Sequence, residues 1–245
     1  DVQETEEATE DACIPQEGAE GIRLEGQVRY PDGTLGGEDN TRVHMCSGGG
    51  CSFAQWGENG FCYSEGSLEP GVYSFKVVPF GFDGHATPLS VITIRDEDKV
   101  LSKEVMVPEF SNHTELMDGK FAGGNGLEIN VVSENYTPYL AMENFVAAVP
   151  VDFAESGLPV EGIDTEKIIA MWYLGSFDAV ISPAWSFEVQ GTGLEVGTTV
   201  QILNASYSEQ KWSDVGSATV DSDGVLRSDQ NSGVANLTTL ILLAQ

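Results

Sequence analysis

The sequence predicts an all-β protein of two consecutive β-sandwich domains behind an acidic N-terminal extension, and three features carry that reading. Apolar residues come in short runs that suit strands of about four to eight residues rather than long helices. Turn signals recur between the runs, drawn from 28 glycines and 10 prolines; both residues punctuate chains at tight reversals. Hydrophobic residues make up 41% of the chain, enough to build packed cores.

The first twenty residues hold eight Asp or Glu and no Lys or Arg, the composition of a tail or tether, so residues 1–20 form the extension. A first sandwich is expected over 21–108. Ile22–Tyr30 alternates apolar and polar side chains, and Pro31-Asp-Gly33 reverses the chain. Thr41–Cys46 reads as a second strand. Cys51–Gln55 and Phe61–Glu65 flank a hairpin, Trp56-Gly-Glu-Asn-Gly60, whose Asn-Gly pair supplies positive φ. Glu69-Pro-Gly71 turns into Val72–Val78, where Tyr73, Phe75 and Val77 face one way and Val72, Ser74, Lys76 and Val78 the other. Leu89–Ile94 and Val100–Val107 complete the set.

This order of elements resembles carboxypeptidase regulatory-like domains, the transthyretin-like or Cna-B-like β-sandwiches of bacterial surface proteins. The resemblance rests on Pro31-Asp-Gly-Thr-Leu-Gly-Gly37, Gly57-Glu-Asn-Gly-Phe61 and Leu68-Glu-Pro-Gly-Val-Tyr-Ser-Phe-Lys-Val77. It covers the span 21–108, implies a sandwich and brings no catalytic residues with it. The glycine loop between Cys46 and Cys51 departs from the pattern.

Residues 109–126 are polar and contain Gly119, Gly123, Gly124 and Gly126, as a linker would. A second sandwich is expected over 127–245, with strands at Leu127–Ser133, Phe145–Phe153, Ile168–Leu174, Trp185–Val189, Thr199–Leu203, Ser217–Val220 and Leu237–Leu243. Trp172-Tyr-Leu-Gly-Ser-Phe-Asp178 and Pro183-Ala-Trp-Ser-Phe187 resemble ZU5-type β domains.

Cysteine usage and charge bound the setting. Cys13, Cys46, Cys51 and Cys62 are even in number, lie early in the chain and form no CxxC pair. They are expected to be disulfides of an oxidising compartment, with all three pairings open. The net charge of −28, from 39 acidic and 11 basic residues, repels phosphate backbones and anionic lipid, which excludes nucleic acid as a partner class. No apolar stretch reaches the ~18–20 residues of a membrane helix, so a transmembrane protein is not expected. The start at Asp1, with no initiator Met or signal peptide, suits a mature exported form. Together these features point to a secreted, periplasmic or cell-surface protein.

Chemistry-bearing frames are sparse. His44, His85 and His113 stand in no triad or H-E-x-x-H frame, and no G-x-S-x-G elbow is present. Ser47-Gly-Gly-Gly50 has no following helix or lysine for phosphate. Carboxylates are abundant, and calcium is the cofactor they could hold, at Asp221 and Asp223 of Asp221-Ser-Asp-Gly224 or at Asp96-Glu-Asp98; the alternative at Asp221-Ser-Asp-Gly224 is a hairpin turn. Trp172 and Trp185 belong to apolar strands, whereas Trp56 sits in a hairpin and is the candidate ligand contact. Four glycosylation sequons begin at Asn112, Asn135, Asn204 and Asn236. The expectation is an exported, non-catalytic structural protein, a subunit of or scaffold in an extracellular or cell-surface assembly, partnered by itself or by other surface proteins. Its rivals are a carbohydrate- or ligand-binding surface module and, more remotely, a carboxylate-based hydrolase.

Overall fold

A computed structural model of the chain describes residues 22–48, 50–58, 60–63, 68–81, 84–95, 99–101, 103–139 and 144–245. The protein is all-β. In the N-terminal part the strands are β1 (Leu24–Gly26), β2 (Val28–Arg29), β3 (Thr41–Ser47), β4 (Gly50–Phe53), β5 (Gln55–Gly57), β6 (Gly60–Tyr63), β7 (Gly71–Pro79), β8 (Leu89–Ile94), β9 (Lys99–Val100) and β10 (Val105–Met106). They form two four-stranded sheets, ordered β5-β6-β1-β9 and β4-β3-β7-β8, and a parallel pair β10-β2. Period-2 alternation explains how the sheets close on one another. Tyr73, Phe75 and Val77 of β7 point into the same core as Val43 and Met45 of β3, Leu24 of β1 and Phe61 and Tyr63 of β6. At the hairpin tip Gly60 has φ +119°, and a Cβ there would lie 2.4 Å from the Gly26 carbonyl oxygen, so the position requires glycine.

The C-terminal part contributes β11 (Asn112–Glu115), β12 (Gly119–Gly124), β13 (Leu127–Val131), β14 (Tyr136–Thr137), β15 (Phe145–Val151), β16 (Ile168–Gly175), β17 (Val180–Trp185), β18 (Phe187–Val189), β19 (Thr199–Ser206), β20 (Lys211–Val220), β21 (Leu226–Ser228), β22 (Val234–Asn236) and β23 (Thr239–Ala244), with a single-turn helix α1 (Phe153–Ser156). Ten strands form one sheet, β11-β15-β16-β23-β19-β20-β21-β18-β13-β12, and β14-β17-β22 form a small second one. The large sheet curls so that its two ends meet. Gly124 on β12 accepts the Trp172 indole N–H at 3.1 Å, and a Cβ at Gly124 would sit 3.0 Å from Pro150 on β15. Inside the curl, Val146, Ala148, Trp172, Leu174, Val200, Ile202, Leu240 and Leu242 pack together. The alternate residues of the same strands, Val149, Met171, Tyr173, Leu203, Ile241 and Leu243, pack on the outer face against Ala86 and Leu158. A strand buried on both faces reads as an unbroken apolar run, as Ile168–Gly175 and Thr239–Ala244 do.

The stretch 109–126 differs from the linker expected there: it carries β11 and β12, which pair with β15 and β13. Its glycines take strand-end and bulge conformations, with φ +128° at Gly119 and +82° at Gly124, and the register slips between Ala122 and Gly124. β20 likewise starts at Lys211 rather than Ser217.

The two parts meet along a buried seam. β8 is the last strand of its sheet, and its free edge is covered by the other part. Leu89 exchanges hydrogen bonds with the Thr239 hydroxyl, at 3.3 Å for the N–H and 2.5 Å for the carbonyl. Ser90 Oγ donates to the Pro159 carbonyl, and the Thr93 N–H donates to Glu161 Oε2 at 2.7 Å. An uncovered edge of this kind would offer its ladder to other chains.

Candidate functional site

The seam is also where the polar chemistry of the described residues concentrates. The face of β7 turned away from the first core carries Ser74 and Lys76, and cross-strand register sets His44 and Leu89 beside Lys76. This face is not solvated: Lys76 retains 7% exposure. Its ammonium lies 4.0 Å from the centroid of Tyr207 and 5.1 Å from that of Phe177, a cation–π seat. Phe177, Tyr207 and Tyr139 meet edge to face at 5.9–6.1 Å, with Tyr139 forming the exposed rim.

Asp178 follows Phe177 and is only 4% exposed. It holds a left-handed backbone, φ 54°, uncommon for a residue with a side chain. One carboxylate oxygen, Oδ1, is buried with no hydrogen-bond partner. Burial pushes its carboxyl up to about 6, against the pull of the Tyr207 N–H and the Lys76 charge. Burial likewise pushes the Lys76 amine down, partly offset by Asp178. His44 is pushed down to about 4 by burial, then by the positive charges of Lys76 and Arg42. Its Nε2 is buried without a hydrogen-bond partner, and its ring packs edge to face on Phe53 at 4.6 Å. All three groups are displaced toward their neutral forms, as low-dielectric burial demands.

A covalent brace borders this cluster. β3 and β4 form a hairpin in which Cys46 and Cys51 are directly opposite, and they are joined in a disulfide. Tyr207 Oη lies 3.3 Å from Cys46 Sγ and 3.2 Å from Cys51 Sγ, and the Ser74 hydroxyl donates to the Tyr207 carbonyl at 3.0 Å. Tyr207 therefore touches the disulfide, Ser74 and Lys76 at once. Cys62 is disulfide-bonded; Cys13 and Asp96-Glu-Asp98 lie outside the described residues.

The remaining candidates are dispersed. Asp221 and Asp223 are brought together by a turn in which the Gly224 N–H donates to the Asp221 carbonyl at 2.9 Å. Arg227 donates to Asp221 Oδ2 at 2.8 Å and to both oxygens of Asp223 at 2.9 Å, and this pairing holds Asp223 down to about 2. Among the described residues no three His, Cys, Asp or Glu side chains gather as a metal site would require. Trp172 and Trp185 are fully buried, their indole N–H groups donating to Gly124 and Val132 carbonyls. Trp56 is half-buried, its ring edge-to-face with Phe61 at 6.0 Å, and it lines a recess with Arg42, Phe53 and Gln55. His85 sits beside Tyr30, His113 beside Phe145 and His44 beside Phe53. Of the four sequons, Asn204 is fully buried, donating to the Thr239 carbonyl and accepting from the Ala235 N–H, so its amide is structural.

Sequence reasoning missed Lys76, Asp178 and Tyr207 as a group. The signal available was a lysine on a core strand, which alternation places on the outer face. What covers that face is set by residues a hundred or more positions away. No helix among the described residues is long and apolar enough to cross a membrane. No family model, curated protein or solved structure matches this chain.

Proposed function

We propose that this protein is an exported, non-catalytic structural component, a subunit of or scaffold in an extracellular or cell-surface assembly. The observation that supports it best is the seam. Lys76 in its aromatic seat, the covered edge of β8 and Tyr207 against the Cys46–Cys51 brace join the two parts through side chains that are buried rather than arrayed around a cleft. In this reading the buried junction holds the two parts as one unit, where a small polar interface would leave them free to move. The disulfide suits an oxidising compartment, and a net charge of −28 keeps the surface solvated. Edge strands outside the seam and the sheet closure, such as β5, are the docking elements in this reading.

The test is the native assembly state, read by electron microscopy and light scattering on untagged protein from its source. Regular filaments, rings or sheets are the expected result. A monodisperse monomer across the concentration range would remove the assembly role.

A further inference from the structure

A second feature lies on the outer face of β3, bordering the seam at Phe53, whose ring packs on His44, and it does not rest on the structural reading. Glu38, Arg42, Phe53, Gln55 and Trp56 line a recess of about 320 Å³. Two walls are aromatic. Phe53 is 57% exposed, and the Trp56 ring is held in place by Phe61 behind it and by Gly36, where a Cβ would lie 3.1 Å from the far ring atom Cη2. The rim is polar. The Arg42 guanidinium is set over the Phe80 ring at 5.0 Å, and no carboxylate of the described residues lies within ion-pair distance of it. Glu38 and Gln55 are exposed.

We propose that this recess binds a neutral pyranose unit of an oligosaccharide. Aromatic faces accept the C–H face of a sugar ring, while donors from Arg42 and Gln55 and acceptors from Glu38 and Gln55 meet its ring of hydroxyls, the combination of apolar walls and few polar groups typical of small-ligand sites. Arg42, held over Phe80, offers its planar fork with less rotamer freedom left to lose. Charge selects against an anionic sugar: Glu38 lines the recess along with its one guanidinium, within a surface of net charge −28. The volume is at the small end of ligand pockets, which span ~300–1,000 Å³, so the recess takes one or two rings. A contact of that size implies a Kd of about 1 mM.

The experiment titrates the full chain with neutral gluco-, galacto- and xylo-oligosaccharides, a high-mannose glycopeptide and an oligogalacturonate, following the Trp56 indole N–H by NMR. Saturable shifts with one neutral ligand, weakened at least tenfold by both Arg42→Ala and Trp56→Ala, are expected; a polysaccharide fragment or the glycopeptide giving that response identifies the source of the ring. Because Trp56→Ala removes packing on Phe61, Glu38→Gln serves as the surface variant, with a loss of several-fold expected and the fold unchanged. Binding that survives Arg42→Ala and Glu38→Gln undiminished overturns the assignment. So does preference for the oligogalacturonate, or no response to any neutral ligand at about 10 mM, ten times the expected Kd. The outcome is independent of the assembly state, so either proposal can fail alone.

Discussion

Replacing Asp178 by Asn isolates a pH dependence that the wild-type protein conceals. The folded Asp178 carboxyl is raised from 3.8 to about 6, so between these values the folded state binds the proton and the unfolded state has lost it. Stability from this group is therefore fully present below about pH 4 and is lost as pH rises through 6. The shift corresponds to about 3 kcal/mol at ~1.4 kcal/mol per pH unit. His44 runs the other way. Its folded value is lowered from 6.5 to about 4, so its contribution is present above pH 6.5 and is lost as pH falls toward 4; it is worth at most about 3 kcal/mol, solvent screening reducing it further. Two neighbours of Lys76 thus give opposing slopes over one interval, and their sum is nearly flat. The assay is urea unfolding followed by tryptophan fluorescence at several values from pH 4 to 7. Wild-type stability minus that of Asp178→Asn should be about 3 kcal/mol larger near pH 4 than near pH 7. All other carboxylates are common to both proteins and cancel. A difference that stays constant, or that grows toward neutral pH, refutes the reasoning.

Three further outcomes follow from the same contacts. Lys76→Met should move the titration midpoints of both Asp178 and His44 upward, because the lysine charge lowers both; NMR titration of the two side chains checks this, and opposite movements would contradict it. Replacing Cys46 and Cys51 together by Ala frees a loop with a sequence separation of 5, costing about 2 kcal/mol and lowering Tm by roughly 4–8 °C for a chain of this size, measured by calorimetry. Gly157→Ala should destabilise by about 1–3 kcal/mol, since φ there is +61° and a Cβ would fall 1.9 Å from the Glu104 carbonyl oxygen; equilibrium unfolding would show a lower midpoint at unchanged slope.

The sequence by itself determined the all-β class and the inward faces of individual strands. Alternation along Val72–Val78 correctly separated Tyr73, Phe75 and Val77 from Ser74 and Lys76, because side-chain direction in a strand is a local, period-2 property. The Asn-Gly hairpin at Gly60 and the buried character of Trp172 and Trp185 were legible for the same local reasons. What lay beyond reach was non-local. The glycines of 109–126 look like a linker in isolation, and only pairing with β13 and β15 makes that stretch two strands. The four cysteines left three pairings open until hairpin register set Cys46 opposite Cys51. Lys76 stands on an outer face in either description, but whether an outer face meets water or another sheet depends on where Phe177, Asp178 and Tyr207 are brought by the rest of the fold. A lysine's charge state follows the dielectric around it, and that dielectric is assembled from residues remote in sequence, so the seam was decided by tertiary structure alone.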